Sequence, residues 1–164
     1  MSPLPRGARL GVDVGSVRVG LAASDPDGIV ATPVGTLGPD DLVQVVAEAQ
    51  ERRAEVVYVG LPRHLSGAEG SASAMARAYA GALARAVAPV EVRVVDERMT
   101  TVTAHQALHA AGRKGRKHRQ VVDQVAAVVI LQAALDEERS RGHRAGERVD
   151  VDPLVTQDER DATE

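Results

Sequence analysis

Three acidic residues carry the chemistry this sequence can support: Asp13 in LGVDVGSVRVGLA (Leu10 to Ala22), Glu97 in VVDERMTT and Asp123 in VVDQVAAVV. Asp13 lies inside an apolar strand, where a carboxylate is costly unless a cation or hydrogen-bond donors satisfy it. Taken singly, each acid has an ordinary explanation. Asp13 can open a turn at Gly15, Glu97 can pair with Arg98, and Asp123 suits the first turn of a helix. Taken together, three hard oxygen donors suit Mg²⁺ or Mn²⁺, with water and a substrate phosphate completing the shell. Two such ions about 3.5 to 4 Å apart activate a water and stabilise the leaving oxygen of a phosphodiester.

A basic run, RKGRKHR, stands just ahead of Asp123 and supplies Arg113, Lys114, Arg116, Lys117 and Arg119. Such runs are commonly solvated loops, but beside a carboxylate cluster they offset the repulsion between an acidic site and a polyanion. Arg18, after the first turn, can contribute in the same way. His105 and His109 have i, i+4 spacing, yet Gln106 stands where a zinc-protease helix needs its glutamate, and the chain has no cysteine. They read as ordinary helical residues. His118 is a candidate phosphate contact, His64 has no assigned role, and Thr100 or Thr101 reads as a helix cap within reach of a substrate backbone.

The elements that must position these groups follow from periodicity. Leu10 to Val14 and Val17 to Leu21 alternate across the Gly15-Ser16 turn, and a third strand, Ile29 to Thr32, follows the turn DPDG. From Asp40 to Ala54, Leu42, Val45, Val46 and Ala49 have helical spacing. Val56 to Leu61 is a continuous apolar strand. An alanine-rich helix follows, with Ala72, Met75, Tyr79, Leu83 and Val87 on one side. Val90 to Val95 is the next strand. A short helix from Thr100 or Thr101 closes at Gly112, and Val121 to about Arg139 forms the last helix, with Val122, Val125 and Val129 toward the sheet. Alternating strands and helices imply parallel strands with right-handed crossovers. The expected architecture is α/β, a mixed five-stranded sheet in which an antiparallel three-stranded meander precedes parallel strands, with helices on both faces. Asp13 and Glu97 then meet at the carboxyl edge of the sheet, where open α/β sheets bind ligands. Gly60 between them leaves room for a substrate backbone.

With 164 residues the chain forms one domain: a loose leader at 1–8, a folded unit at 9–139 and a disordered tail at 140–164. The net charge of -3 is uneven: ten acidic and five basic residues lie from Asp136 onward, so the earlier part is mildly basic. The absence of cysteine, of a signal-peptide core and of a membrane-length apolar run reads as a cytoplasmic protein. Only Tyr58 and Tyr79 are aromatic, and both fall in apolar patterns, which argues against single-strand binding by exposed stacking platforms.

Four blocks in order, GVDVGSVRVGLA, VVYVGLPRHLSG, VVDERMTTVTA and VVDQVAAVVILQAAL, resemble the YqgF/RuvX family over about Leu10 to Leu135. That family is described as pre-16S rRNA nucleases and as Holliday-junction-resolvase-like. The resemblance implies a ribonuclease H-like fold and maturation of the 5' end of 16S rRNA in ribosome biogenesis. It implies Asp13, Glu97 and Asp123 as the acidic site, with Arg18, Arg98 and Thr101 as neighbours. Many nucleases of the wider superfamily carry an acid at the end of the strand after the first helix. Here that strand ends in Gly60-Leu61-Pro62, so Glu97 acts from the next one, or Asp96 faces the site instead. The expected activity is metal-dependent endonucleolytic hydrolysis of structured RNA, by a monomer or homodimer that can associate with ribosomal particles. A resolvase acting on branched DNA would be a two-fold dimer. A non-catalytic nucleic-acid binder associated with the ribosome or with transcription would bind with steep salt dependence and would not cleave. An actin-like kinase, suggested by D-V-G-S, would need two domains around ATP.

Overall fold

The computed structural model describes residues 4–99 and 115–151. β1 (Arg9–Val14) and β2 (Val19–Ser24) pair antiparallel through a turn in which the Gly15 N–H donates to the Arg18 carbonyl at 2.9 Å. Arg18 therefore lies in the turn, just ahead of β2. The next reversal is built on Asp25, whose carboxylate accepts from the N–H groups of Ile29 at 2.9 Å and Val30 at 2.8 Å, with Gly28 at φ +69°. That carboxylate holds residues 29 and 30 in the turn, so β3 (Ala31–Leu37) begins later than the alternation predicts. β4 (Val56–Leu61) and β5 (Glu91–Asp96) are parallel to β1, giving the order β3-β2-β1-β4-β5 with one more strand beyond β5.

The sixth strand, β6 (Glu147–Arg148), pairs antiparallel with β5. The sequence predicts five strands and assigns this segment to the tail. Two exposed charged residues carry no apolar alternation, and it is the pairing of Arg93 with Arg148 and Val94 with Glu147 that makes the strand.

One face of the sheet, with Leu10, Val12, Leu21, Val57, Val59 and Val92, is covered by α1 (Leu42–Glu51) and α2 (Ser71–Val87). Asp41 caps α1 by accepting from the Gln44 N–H at 3.1 Å. On α2, Ala76, Ala80 and Leu83 face the core while Met75 turns outward. Among the described residues, α3 (Gly115–Arg141) is the helix that covers the opposite face, with Ala22, Val56, Tyr58 and Val95.

α3 departs from expectation in two ways. It starts at Gly115, so Arg116, Lys117 and Arg119 are on the helix and Asp123 is two turns in, beyond the reach of a favourable charge–terminus interaction. Its buried stripe is Ala127, Ile130, Leu131, Ala134 and Leu135, whereas Val122, Val125 and Val129 stay partly exposed. Val and Ala occur nearly all round this helix, so apolarity alone does not select a face. Close approach does: a Cβ built on Gly11 would stand 2.6 Å from the Leu131 Cβ, and one on Gly20 would overlap the Asp123 carbonyl oxygen. Gly20→Ala is expected to cost about 1–3 kcal/mol, because backbone must move to admit the methyl group. Urea denaturation would measure it, and a cost near zero would contradict this packing.

Candidate active site

Strand register brings the acids to one edge. Asp13 is paired with Gly20, Val12 with Val59 and Gly60 with Val95. Alternation puts Gly11 and Asp13 of β1, Gly20 of β2, Tyr58 and Gly60 of β4, and Val95 of β5 toward α3. Glu97, two residues past Val95 in a short 3-10 turn (Glu97–Met99), keeps that side. α3 brings Asp123 against Gly20, opposite Asp13. Gly60 does not leave space for substrate: a Cβ there would lie 2.5 Å from the Ile130 Cδ1 and 3.0 Å from the Glu97 Oε1, so those two groups fill the gap.

Asp96 belongs to a different constellation. Its carboxylate accepts from the Arg98 backbone N–H at 2.9 Å and from the Arg98 guanidinium at 2.6 Å, with Arg63 at 3.8 Å. Arg98 holds its carboxyl below the usual range. Arg98 therefore braces Asp96 and, at 3.5 Å, the Leu65 carbonyl.

The acids sense one another. Burial, then the charges of Glu97 and Asp123, push the Asp13 carboxyl up to about 7. Asp123 has a cation, since Arg18 Nε donates to its Oδ2 at 2.6 Å. Among the described residues, no three His, Cys, Asp or Glu side chains already stand close enough to hold a metal. The arrangement is an electrostatic cluster in which Arg18 holds Asp123. The donor chemistry fits a hard divalent cation, which would relieve the repulsion that raises Asp13.

This repulsion sets a pH dependence. The Asp13 value near 7 lies above its ordinary 3.8, so the folded protein keeps a proton that the unfolded chain releases. The resulting stabilisation is fully present at acid pH and lost as pH rises from about 4 through about 7, a contribution of up to about 4 kcal/mol. Unfolding midpoints in EDTA across that range should fall with pH at this site's expense. Asp13→Asn should flatten the fall, and an equally steep fall in that variant would count against it.

Thr101, Arg113 and Lys114 lie outside the described residues, as do the predicted helix between Thr100 and Gly112 and its His105 and His109. The same holds for the side chains of Arg116, Lys117, His118 and Arg119. Sequence reasoning places the loop PRHLSG between β4 and α2 but gives it no role at the site. Pro62 accepts a hydrogen bond from the Ser73 hydroxyl, and Arg63 lies 3.6 Å from Glu69, so this loop is tied at the same edge. Its signal was present in Gly67, which takes φ +89°, and in the prolyl break after β4.

A family model described as "RuvX: Holliday junction resolvase" matches residues 7–137. A protein of Kineococcus radiotolerans is 55% identical over 145 residues, covering 85% of this chain and 77% of its own length. One of Streptomyces coelicolor is 55% identical over 153 residues, covering 89% and 90%. One of Thermobifida fusca is 53% identical over 156 residues, covering 90% and 98%. All three carry the name "Putative pre-16S rRNA nuclease". Among solved structures, T. thermophilus RuvC in complex with Holliday junction substrate aligns with a TM-score of 0.55 at 16% identity, covering 87% of this chain and 99% of that one. That likeness shows the fold.

Proposed function

The chain belongs to the RuvX family, and from that premise we propose that it is a divalent-metal-dependent endonuclease that processes the 5' end of precursor 16S rRNA in the cytoplasm. The observation that carries the chemistry is the convergence of three acids: Asp13 pairs with Gly20, against which α3 sets Asp123, and the Glu97 carboxylate stands beside Gly60 on the same side of the sheet, so that burial and both neighbours raise the Asp13 carboxyl. An acid so placed is poorly tolerated as a charge unless a cation joins it. Bound Mg²⁺ or Mn²⁺ would supply Lewis-acid activation of water and stabilisation of the leaving oxygen. Asp13, Glu97 and Asp123 are its proposed ligands. Arg18 releases or shares Asp123 as the substrate backbone arrives, its guanidinium being suited to phosphate as well as carboxylate. Arg113, Lys114, Arg116, Lys117 and Arg119, with Thr101, grip the backbone beyond the site. No helix among the described residues is long and apolar enough to cross a membrane.

The relatives' shared name supports an RNA substrate, while the description of the matching family model supports a second reading, resolution of branched DNA. Both are tested by incubating the protein with a precursor-rRNA end and with a four-way DNA junction, each in Mg²⁺, Mn²⁺ or EDTA. Metal-dependent scission of the RNA alone supports the first reading, and paired nicks in the junction support the second. Salt-sensitive binding of both without scission would replace either with a non-catalytic role.

A further inference from the structure

Two large apolar side chains stand in water at the edge where the acids emerge: Leu65, 96% exposed, and Val17, 65% exposed. Val17 tips the turn between β1 and β2, which is closed by the bond from the Gly15 N–H to the Arg18 carbonyl. Leu65 tips the loop after β4, which is closed by the His64 N–H on the Ala68 carbonyl at 2.9 Å and the Gly67 N–H on the His64 carbonyl at 2.8 Å. Because β1 lies between β2 and β4, the tips stand on either side of Asp13.

Exposed aliphatics scattered singly need no explanation. These two are not scattered. Each sits on a closed turn at the carboxyl edge of the sheet: Arg18, next to Val17, bonds Asp123, and the Leu65 carbonyl accepts at 3.5 Å from Arg98, the partner of Asp96. The turns hold the side chains outward, where they gain no packing in the free protein. A surface rich in bases and phosphates matches them. Aliphatic wedges unstack neighbouring bases when inserted between them, and unstacked nucleotides let a backbone bend toward the acids. We infer that Val17 and Leu65 are base-unstacking contacts bracketing the scissile phosphate, which direct cutting to the border between paired and unpaired nucleotides. The inference rests on the nuclease reading above.

Two readouts separate it from that reading. The first is the cleavage ratio between an RNA hairpin border and the same sequence single-stranded, for the wild type, Leu65→Ala, Val17→Ala and the exposed control Val43→Ala. The ratio should fall about tenfold in the first two variants and stay unchanged in the control. A ratio unchanged in all, or a loss equal on both RNAs, overturns the inference while leaving the nuclease reading intact. The second is 2-aminopurine fluorescence beside the border nucleotide, read on binding to the Asp13→Asn protein, which needs no cutting. A rise that disappears when Leu65→Ala is added supports the inference even if the wild type proves not to cleave. No rise on binding overturns it.

Discussion

Replacing Asp13 by asparagine is expected to lower cleavage by about 10³-fold or more while raising the metal-free protein's stability above pH 7. The loss follows from removing a proposed metal-holding carboxylate, whose contribution to transition-state charge would be worth several kcal/mol. The gain follows from the same geometry: burial, Glu97 and Asp123 disfavour the ionised side chain, and a neutral amide of equal size ends that repulsion. The expected stabilisation is on the order of 2 kcal/mol, since the amide gives up some of the gain in its own burial. Opposite signs in the two measurements are the signature of a charge held for function. A variant that loses both activity and stability would show that Asp13 is structural, and one that still cuts would remove it from the site.

The second large effect is expected at the other end of the same sheet. Glu138, near the C-terminal end of α3, is buried, and its Oε1 accepts from Arg9 Nε at 3.1 Å. Its Oε2 accepts from the Tyr58 hydroxyl and from Arg144 at 3.1 Å. Arg9 completes its donors on the carbonyls of Gly7 at 2.6 Å and Pro26 at 2.9 Å, and the Tyr58 oxygen accepts from the Ala145 N–H at 3.2 Å. Burial and then Glu138 push the Tyr58 hydroxyl well up, so it remains a donor. Glu138→Ala would strand a buried guanidinium and a buried hydroxyl together, a loss of about 3–5 kcal/mol. Against a usual total of about 5–15 kcal/mol, such a variant is marginal. Equilibrium unfolding measures it, and a cost under about 1 kcal/mol would show that the network is slack. Combining Glu138→Leu with Arg9→Met should recover part of the loss, because the buried Arg9 charge goes with its partner and Arg144 is the charge left without Glu138.

Both residues show where sequence reasoning reached and where it stopped. Asp13 was legible because it is a carboxylate inside the otherwise apolar strand Leu10 to Val14, and a charge in that setting is visible locally. Glu138 was legible in principle, since it follows Ala127, Leu131 and Ala134 at helical intervals. It went unread because Val122, Val125 and Val129 offered an equally apolar stripe, and only the glycines at 11 and 20 select between the two. The choice of Glu97 over Asp96 was left open in the sequence, and the structure separates them by the parity of β5 and by Arg98, which holds Asp96.

Local pattern by itself determined the strands around Asp13, the buried run Val56 to Leu61 and the order of strands and helices, and it marked the three acids as candidates. Those depend on side-chain periodicity and residue type, which a linear chain displays directly. Tertiary structure alone decided that Arg18 holds Asp123, that Gly60 is filled by Glu97 and Ile130, that Glu147 and Arg148 complete the sheet, and that Arg9 and Glu138 meet across 129 positions. Each of these is a distance between segments remote in sequence, and register and close approach, not composition, set it.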